Sequence, residues 1–205
     1  AVVAGPGISQ SDLSERMLYE LLKRIQVPCL CDADALNLLS KHPDWWKLVQ
    51  SPLVITPHLG EMARLTGRPI TEIRDRLVQT AQEFAMEHQI TVVLKDARTI
   101  TAQPDGQSYI NVSGNHGMAT AGAGDVLSGV VGALLAQKLD IYLAAALGVF
   151  IHGLAGDAAA ERVGHCAMMA SDIVDGLMDV LRKQEDTKRQ GKNIGEYVQT
   201  LIWVH

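Results

Sequence analysis

Short apolar runs alternate with segments of helical period along this chain, and that alternation confines it to a fold in which strands are separated by helices. Residues 1–4 are an apolar run closed by Gly5-Pro6-Gly7, and residues 12–25 carry Leu13, Met17, Leu21 and Ile25 at helical spacing. Residues 28–32 read as the next strand, and a helix through Leu36 and Leu39 follows Asp32-Ala33-Asp34. Residues 53–56 read as a strand ending in Pro57-His58. Residues 59–65 and 71–88 read as helices, the second with Ile73, Leu77, Ala81 and Ala85 on one side. Residues 90–95 are a buried strand, and 99–102 with 109–112 form a hairpin around Pro104-Asp105-Gly106. Three helices follow, over 125–137, 141–162 and 170–183. The class is α/β with a largely parallel sheet, in one domain over residues 1–185, and residues 186–205 form a tail without a clear pattern.

Composition excludes several function classes. The chain is 47% hydrophobic and 20% charged, which is globular and not disordered. A net charge of −5, with no basic cluster interleaved with aromatics, argues against nucleic acid as a partner. The basic stretch from Arg182-Lys183 to Lys188-Arg189 is interrupted by Glu185 and Asp186 and reads as a solvated helix end. Three cysteines are too few for a disulfide framework, and Cys29-Leu30-Cys31 is not a zinc spacing. Reduced thiols and a cytoplasmic location are expected. No apolar run reads as long enough to span a bilayer, and no signal peptide is visible. The opening Ala1-Val2-Val3-Ala4-Gly5 reads as a strand entered midway, so a larger parent protein is expected.

The stretch Gly114-Asn115 through Gly122-Ala123-Gly124-Asp125 to Gly129 runs from a small-residue loop into an apolar helix. Such a loop points backbone N–H groups outward, and the helix dipole adds partial positive charge, which together favour phosphate. Asp125 at that mouth suits a group that takes a proton from a hydroxyl beside the transferring phosphoryl; the alternative is a helix N-cap. Gly5-Pro6-Gly7, Asp32 with Asp34, His58 and Lys95 all fall at carboxyl ends of predicted strands, the edge where open parallel sheets bind ligands. His58 could hydrogen-bond a substrate, and Glu61 could hold water or a metal; alternatively they form a polar turn, with Glu61 favouring a helix N-terminus. Asp32 or Asp34 could simply cap a helix, leaving Asn37 exposed. Lys95 could meet phosphate or sit in a solvated turn, and His152 reads as a satisfied core histidine. No Gly-Lys-Ser/Thr follows the glycine loop, and no GxGxxG opens an early strand–helix unit.

Taken in order, Gly5-Pro6-Gly7, Asp32 to Asn37, Thr56 to Glu61, Val93-Leu94-Lys95, Gly114 to Gly129 and His152 to Asp157 resemble the ADP/ATP-dependent NAD(P)H-hydrate dehydratases of the ribokinase-like superfamily. The resemblance implies a three-layer α/β/α sandwich with a mostly parallel sheet. It implies repair of NADHX and NADPHX, in which ADP or ATP with Mg2+ phosphorylates the hydrate hydroxyl and phosphate then leaves. By motif match, Gly7, His58, Asn115 and Asp125 fall on the hydrate side, with Asp125 catalytic. Lys95, Asp96, Ala97, Arg98 and Thr99, with Gly122, Ala123 and Gly124, fall on the nucleotide side. The partners implied are the hydrate and an adenine nucleotide, in a homo-oligomer without nucleic acid or membrane. No metal ligand is assigned. Ala123 replaces the Thr of the usual Gly-Gly-Thr-Gly-Asp loop, Asp96 replaces a Gly, and Ser9 stands where the first glycine turn often continues. Family members carry more of the domain upstream of Gly5, and any epimerase domain is absent from this sequence. The alternatives are a kinase of the same superfamily acting on a vitamin-precursor alcohol and a non-catalytic nucleotide-binding scaffold.

Overall fold

A computed structural model describes residues 1–189 and 202–204. Its strands are β1 (Val2–Ala4), β2 (Cys29–Cys31), β3 (Leu53–Ile55), β4 (Thr91–Leu94), β5 (Ile100–Ala102), β6 (Ser108–Ile110) and β7 (Ile202–Val204). They form one sheet in sequence order. β1 to β4 pair in parallel, in registers such as Cys29 opposite Leu53. The expected hairpin then adds β5 and β6 antiparallel, and β7 extends that edge. The rest of the expected tail beyond Arg189, residues 190–201 and 205, lies outside the described residues.

The helices are α1 (Asp12–Arg24), α2 (Asp34–Leu39), α3 (Leu59–Thr66), α4 (Ile70–Asp75), α5 (Leu77–His88), α6 (Ala123–Ala136), α7 (Ile141–Val163) and α8 (Ala170–Arg189). The central strands are apolar at every position but Thr91, and both of their faces are covered. Cys29, Cys31, Leu53, Ile55, Val92 and Leu94 pack with α1 to α5. The intervening Leu30, Val54 and Val93 pack with Leu127, Val131 and Leu135 of α6 and Ala144, Ala145 and Val149 of α7. Period-2 alternation in the strands thus divides one apolar run between two layers of helix. α8 closes the second layer from outside, through Ile173 and Val180 against Ile151, Ala155 and Ala159.

Three expectations are corrected. Of the stripe expected for α1, Ile25 at its C-cap is buried and Leu21 is partly buried against the core, but Leu13 and Met17 are 60% and 64% exposed, and Leu18 and Leu22 are the buried positions within the helix. The helix expected over 71–88 breaks at Arg76, which leaves helical geometry at φ −126° and ψ 41°. With that break, Ile73 on one piece and Ala81, Phe84 and Ala85 on the other are all buried. α7 is long and apolar enough to cross a bilayer by length and composition, although no such run was expected; 61% of its most apolar window is buried within the fold. It serves as the core helix between the sheet and α8.

Candidate active site

The carboxyl ends of β1 to β4 share one edge of the sheet, and α6 begins above it. At the end of β1, Gly5 has φ 132°, and a Cβ there would lie 1.7 Å from the Asp32 carbonyl oxygen, so only glycine lets β1 close against β2. Asp32, immediately after β2, is 1% exposed. Its Oδ1 accepts from Lys95 Nζ at 2.7 Å, and its Oδ2 accepts from Ser128 Oγ at 2.7 Å. Asp32 is therefore not a helix cap. The N-cap of α2 is Ala33, with φ 51° and no side-chain cap. Asp34 instead accepts from Ser9 N at 3.1 Å and Gln10 Nε2 at 3.0 Å, which ties down the turn that follows Gly7. Asn37 accepts from Arg64 Nε at 2.9 Å.

His58 and Glu61 cap α3 reciprocally. The His58 Nδ1 accepts from Gly60 N at 3.0 Å and Glu61 N at 3.2 Å, and Glu61 Oε2 accepts from His58 N at 2.8 Å. This local solution satisfies helix N–H groups that would otherwise lack partners. Nδ1 is thereby an acceptor, which places the ring proton on Nε2 in the neutral tautomer. Burial, with Lys95 and Arg64 nearby, holds the imidazole below the usual histidine range. Glu61 is 4% exposed and committed to the cap, so the polar-turn reading holds for it; burial pushes its carboxyl up.

The glycine loop is held from α7. Asp157 accepts from Gly114 N at 2.9 Å and from Asn115 Nδ2 at 2.9 Å. The same Nδ2 donates to Gly156 O at 3.0 Å, while Asn115 Oδ1 accepts from Gly117 N at 3.0 Å and lies 3.0 Å from His165 Nδ1. The Asn115 amide is thus spent on shaping the loop. Gly122, the N-cap of α6, has φ 86°, the left-handed turn that swings the chain into the helix. Gly124 follows so close to the sheet edge that a Cβ on it would lie 3.4 Å from Lys95 Nζ.

Between this loop and the turn joining β4 to β5 lies a cavity of about 1010 Å³. His58, Lys95, Asp96, Ala97, Arg98 and Thr99 line it from the sheet, and Asn115, Ala123 and Gly124 line it from the loop and α6. Gly7, Gly122 and Asp125 are not among its lining residues. Asp125 is exposed in the first turn of α6, one residue past the cavity wall, and Gly7 sits in the turn fastened to Asp34. Among the described residues, no group of three or more His, Cys, Asp or Glu side chains is placed to hold a metal ion.

Sequence reasoning missed Ser128 and misread His152, and of its two readings of Asp32, a strand-end site group or a helix cap, the cap does not hold. Ser128 carried a signal, since it interrupts the buried stripe of α6 and a buried hydroxyl needs a partner. His152 is not a satisfied core histidine. It lines the cavity, is 9% exposed, and its Nε2 has no hydrogen-bond partner among the described residues. Burial pushes its imidazole down to about 4, a nearby Ala123 backbone group acts against the shift, and Lys95 adds to it.

Residues 1–178 match the family described as NAD(P)H-hydrate dehydratase. A bifunctional NAD(P)H-hydrate repair enzyme of Moorella thermoacetica is 49% identical over 182 residues, covering 89% of this chain and 34% of that protein. The crystal structure of an ADP/ATP-dependent NAD(P)H-hydrate dehydratase from Bacillus subtilis, co-crystallised with ATP and Mg2+, superposes with a TM-score of 0.79 at 30% identity, over 88% of this chain and 63% of that one. A ribokinase-like superfamily protein of Enterococcus faecalis gives 0.74 at 27% identity, over 89% and 63%. The fold is ribokinase-like, and the chain spans about a third of the length of the Moorella relative.

Proposed function

The chain belongs to the NAD(P)H-hydrate dehydratase family, and from that premise we propose that it performs the nucleotide-dependent dehydration that returns NADHX and NADPHX to NADH and NADPH. ADP or ATP, carrying Mg2+, is the phosphoryl donor. The observation that carries the reading is the meeting of the Lys95 to Thr99 turn with the start of α6 around one large cavity. Its volume suits a nucleotide, since ligand pockets run to about 1,000 Å³. Backbone N–H groups at Gly122 to Gly124, with the dipole of α6 behind them, form the cradle for the transferring phosphoryl group. Because Mg2+ is commonly held by phosphate oxygens and water with only one or two carboxylates, a site without a three-residue metal cluster suits an ion that arrives on the nucleotide.

Asp125 stands beside this cradle with its carboxylate free for solvent or substrate. It takes the proton of the hydrate hydroxyl as that oxygen bonds to phosphorus and the bond to the departing nucleotide breaks. Phosphate then leaves with the electron pair of the carbon–oxygen bond, the neighbouring carbon gives its proton to water, and the C–H electron pair restores the dihydropyridine double bond. His58, neutral and with its Nε2 3.4 Å from Glu61 Oε1, turns its ring proton from that long contact to the hydrate and donates to it. The Lys95 to Thr99 turn holds the nucleotide.

Recovery of NADH absorbance from NADHX, measured with ADP and then ATP in the presence of Mg2+, tests the proposal. Turnover with either nucleotide supports it. Stable phosphorylation of a vitamin-precursor alcohol without NADHX turnover identifies a kinase instead, and nucleotide binding without any turnover identifies a scaffold.

A further inference from the structure

We propose that Asp32 is a positioning residue for phosphoryl transfer, acting through Lys95 and Ser128 to hold the nucleotide-side lysine and the start of α6 in one fixed geometry. The inference rests on reading the α6 N-terminus as the phosphoryl cradle. Asp32 stands at the end of β2 and Lys95 at the end of β4, so their 2.7 Å contact reaches across the intervening β3. The second carboxylate oxygen binds Ser128, one turn into α6 from Gly124. Both oxygens of one buried carboxylate are therefore spent, one on cavity-lining Lys95 and one on Ser128 behind Gly124. Gly124 rests directly on the pair, its Cβ position 3.4 Å from Lys95 Nζ and 3.8 Å from Asp32 Oδ2.

Stability alone is a poor explanation for this arrangement. Burying a carboxylate and an ammonium carries a desolvation penalty that well-packed apolar side chains avoid, so buried pairs are weak evidence of stabilisation. Geometry explains it better. Phosphoryl transfer depends on fixed donors that need no rearrangement as charge develops, and a displacement of about 1 Å can lower the rate 100-fold. Without Asp32, Lys95 loses its anchor and is free to swing into the cavity. Without the Ser128 link, α6 loses its side-chain tie to the end of β2 and keeps only its apolar packing and the contact of the Ala123 backbone with His152.

The test uses Asp32→Asn, Ser128→Ala, Ser128→Thr and the Asp32→Asn/Ser128→Ala double variant in the full chain. Melting is recorded for each, and kinetics are run well below the lowest melting temperature. Asp32→Asn should lower kcat by about 10-fold or more and weaken nucleotide binding, with the KM for the hydrate moved less than about two-fold. Ser128→Ala should show a smaller loss of the same pattern, and Ser128→Thr, which restores the hydroxyl, should recover most of it. The double variant should be little worse than Asp32→Asn alone, because groups that act as a unit are not additive. Multiplying losses, or lowered melting with unchanged kcat and nucleotide affinity, overturn the proposal. If Asp32→Asn does not fold, the Ser128 pair decides: equal kcat and nucleotide affinity in the Ala and Thr variants refute it. If the wild type fails to turn over NADHX, the functional reading fails separately. Calorimetric binding of ADP and of ATP with Mg2+ then carries the test, with weaker binding in Ser128→Ala supporting the positioning role and equal binding refuting it.

Discussion

His152 makes the stability of this protein pH-dependent in a window set by its burial. The side chain is 9% exposed against the cavity, with an Nε2 that has no partner among the described residues. Burial and then Lys95 hold the folded-state imidazole down at about 4, against 6.5 for an unperturbed histidine. The sign follows from which state takes the proton. Well above pH 6.5 the imidazole is neutral in both states and stability is unaffected. Below that, the unfolded chain binds a proton that the folded chain refuses, so stability falls until the pH nears the folded-state value. From these two pKa values the loss is about 2 kcal/mol at pH 5 and about 3 kcal/mol at pH 4. Urea unfolding at pH 7.5, 6 and 5, for wild type and His152→Gln, measures it. The glutamine side chain does not titrate, and contributions from His58 and His88, both also held low by burial, cancel in the difference. The stability difference between the two proteins should move by about 2 kcal/mol in favour of the variant between pH 7.5 and pH 5. Parallel pH profiles would refute the reasoning and mean that His152 is hydrated in the folded protein.

Asp125→Asn should retain nucleotide binding and lose turnover by about 100-fold or more, the scale of a lost general base, and near-normal turnover in that variant refutes the role. His58→Ala removes the acceptor for two α3 N–H groups and should lower stability by about 0.5–2 kcal/mol, read by thermal melting, whereas His58→Asn, a good N-cap, should recover most of that loss. Both variants should weaken hydrate binding, the alanine by about 1–3 kcal/mol, with nucleotide affinity unchanged in calorimetry; the reverse pattern reassigns the residue. Asp96 is exposed on the cavity rim, where its charge opposes a polyphosphate that no ion screens. ADP should therefore be preferred over ATP at low magnesium, and Asp96→Gly should flatten the magnesium dependence of nucleotide affinity; identical curves for the two proteins refute the argument.

Much of the layer architecture was legible because it depends on short-range periodicity. Cys29-Leu30-Cys31 and Val92-Val93-Leu94 are apolar at every position, which is the pattern of strands covered on both faces. The edge that carries the site was legible too, since Gly5, Asp32, His58 and Lys95 each follow such a strand. The α3 cap was within reach because His58 and Glu61 lie three positions apart, and the loop's entry into α6 because Gly122 precedes it directly. Periodicity did not say which stripe of α1 would face the sheet. Leu13 and Met17 fit a helical period as well as Leu18 and Leu22 do, and only the neighbouring elements choose between them.

What the sequence by itself determined was the kind of group present at each strand end and the backbone chemistry of the glycine loop. Tertiary structure alone decided whom those groups meet. Asp32 could be placed at the sheet edge but not paired, because its local options were helix N–H groups while its actual partners stand 63 and 96 positions away. Asn115 looked free to bind substrate, yet its amide is satisfied 41 and 42 positions along the chain. His152 looked buried and content, yet the cavity beside it opens only when α6, α7 and the turn after β4 come together. A side chain carries its charge and hydrogen-bonding capacity wherever it goes, but the partner that completes it, and the water that is excluded around it, exist only once distant segments have packed.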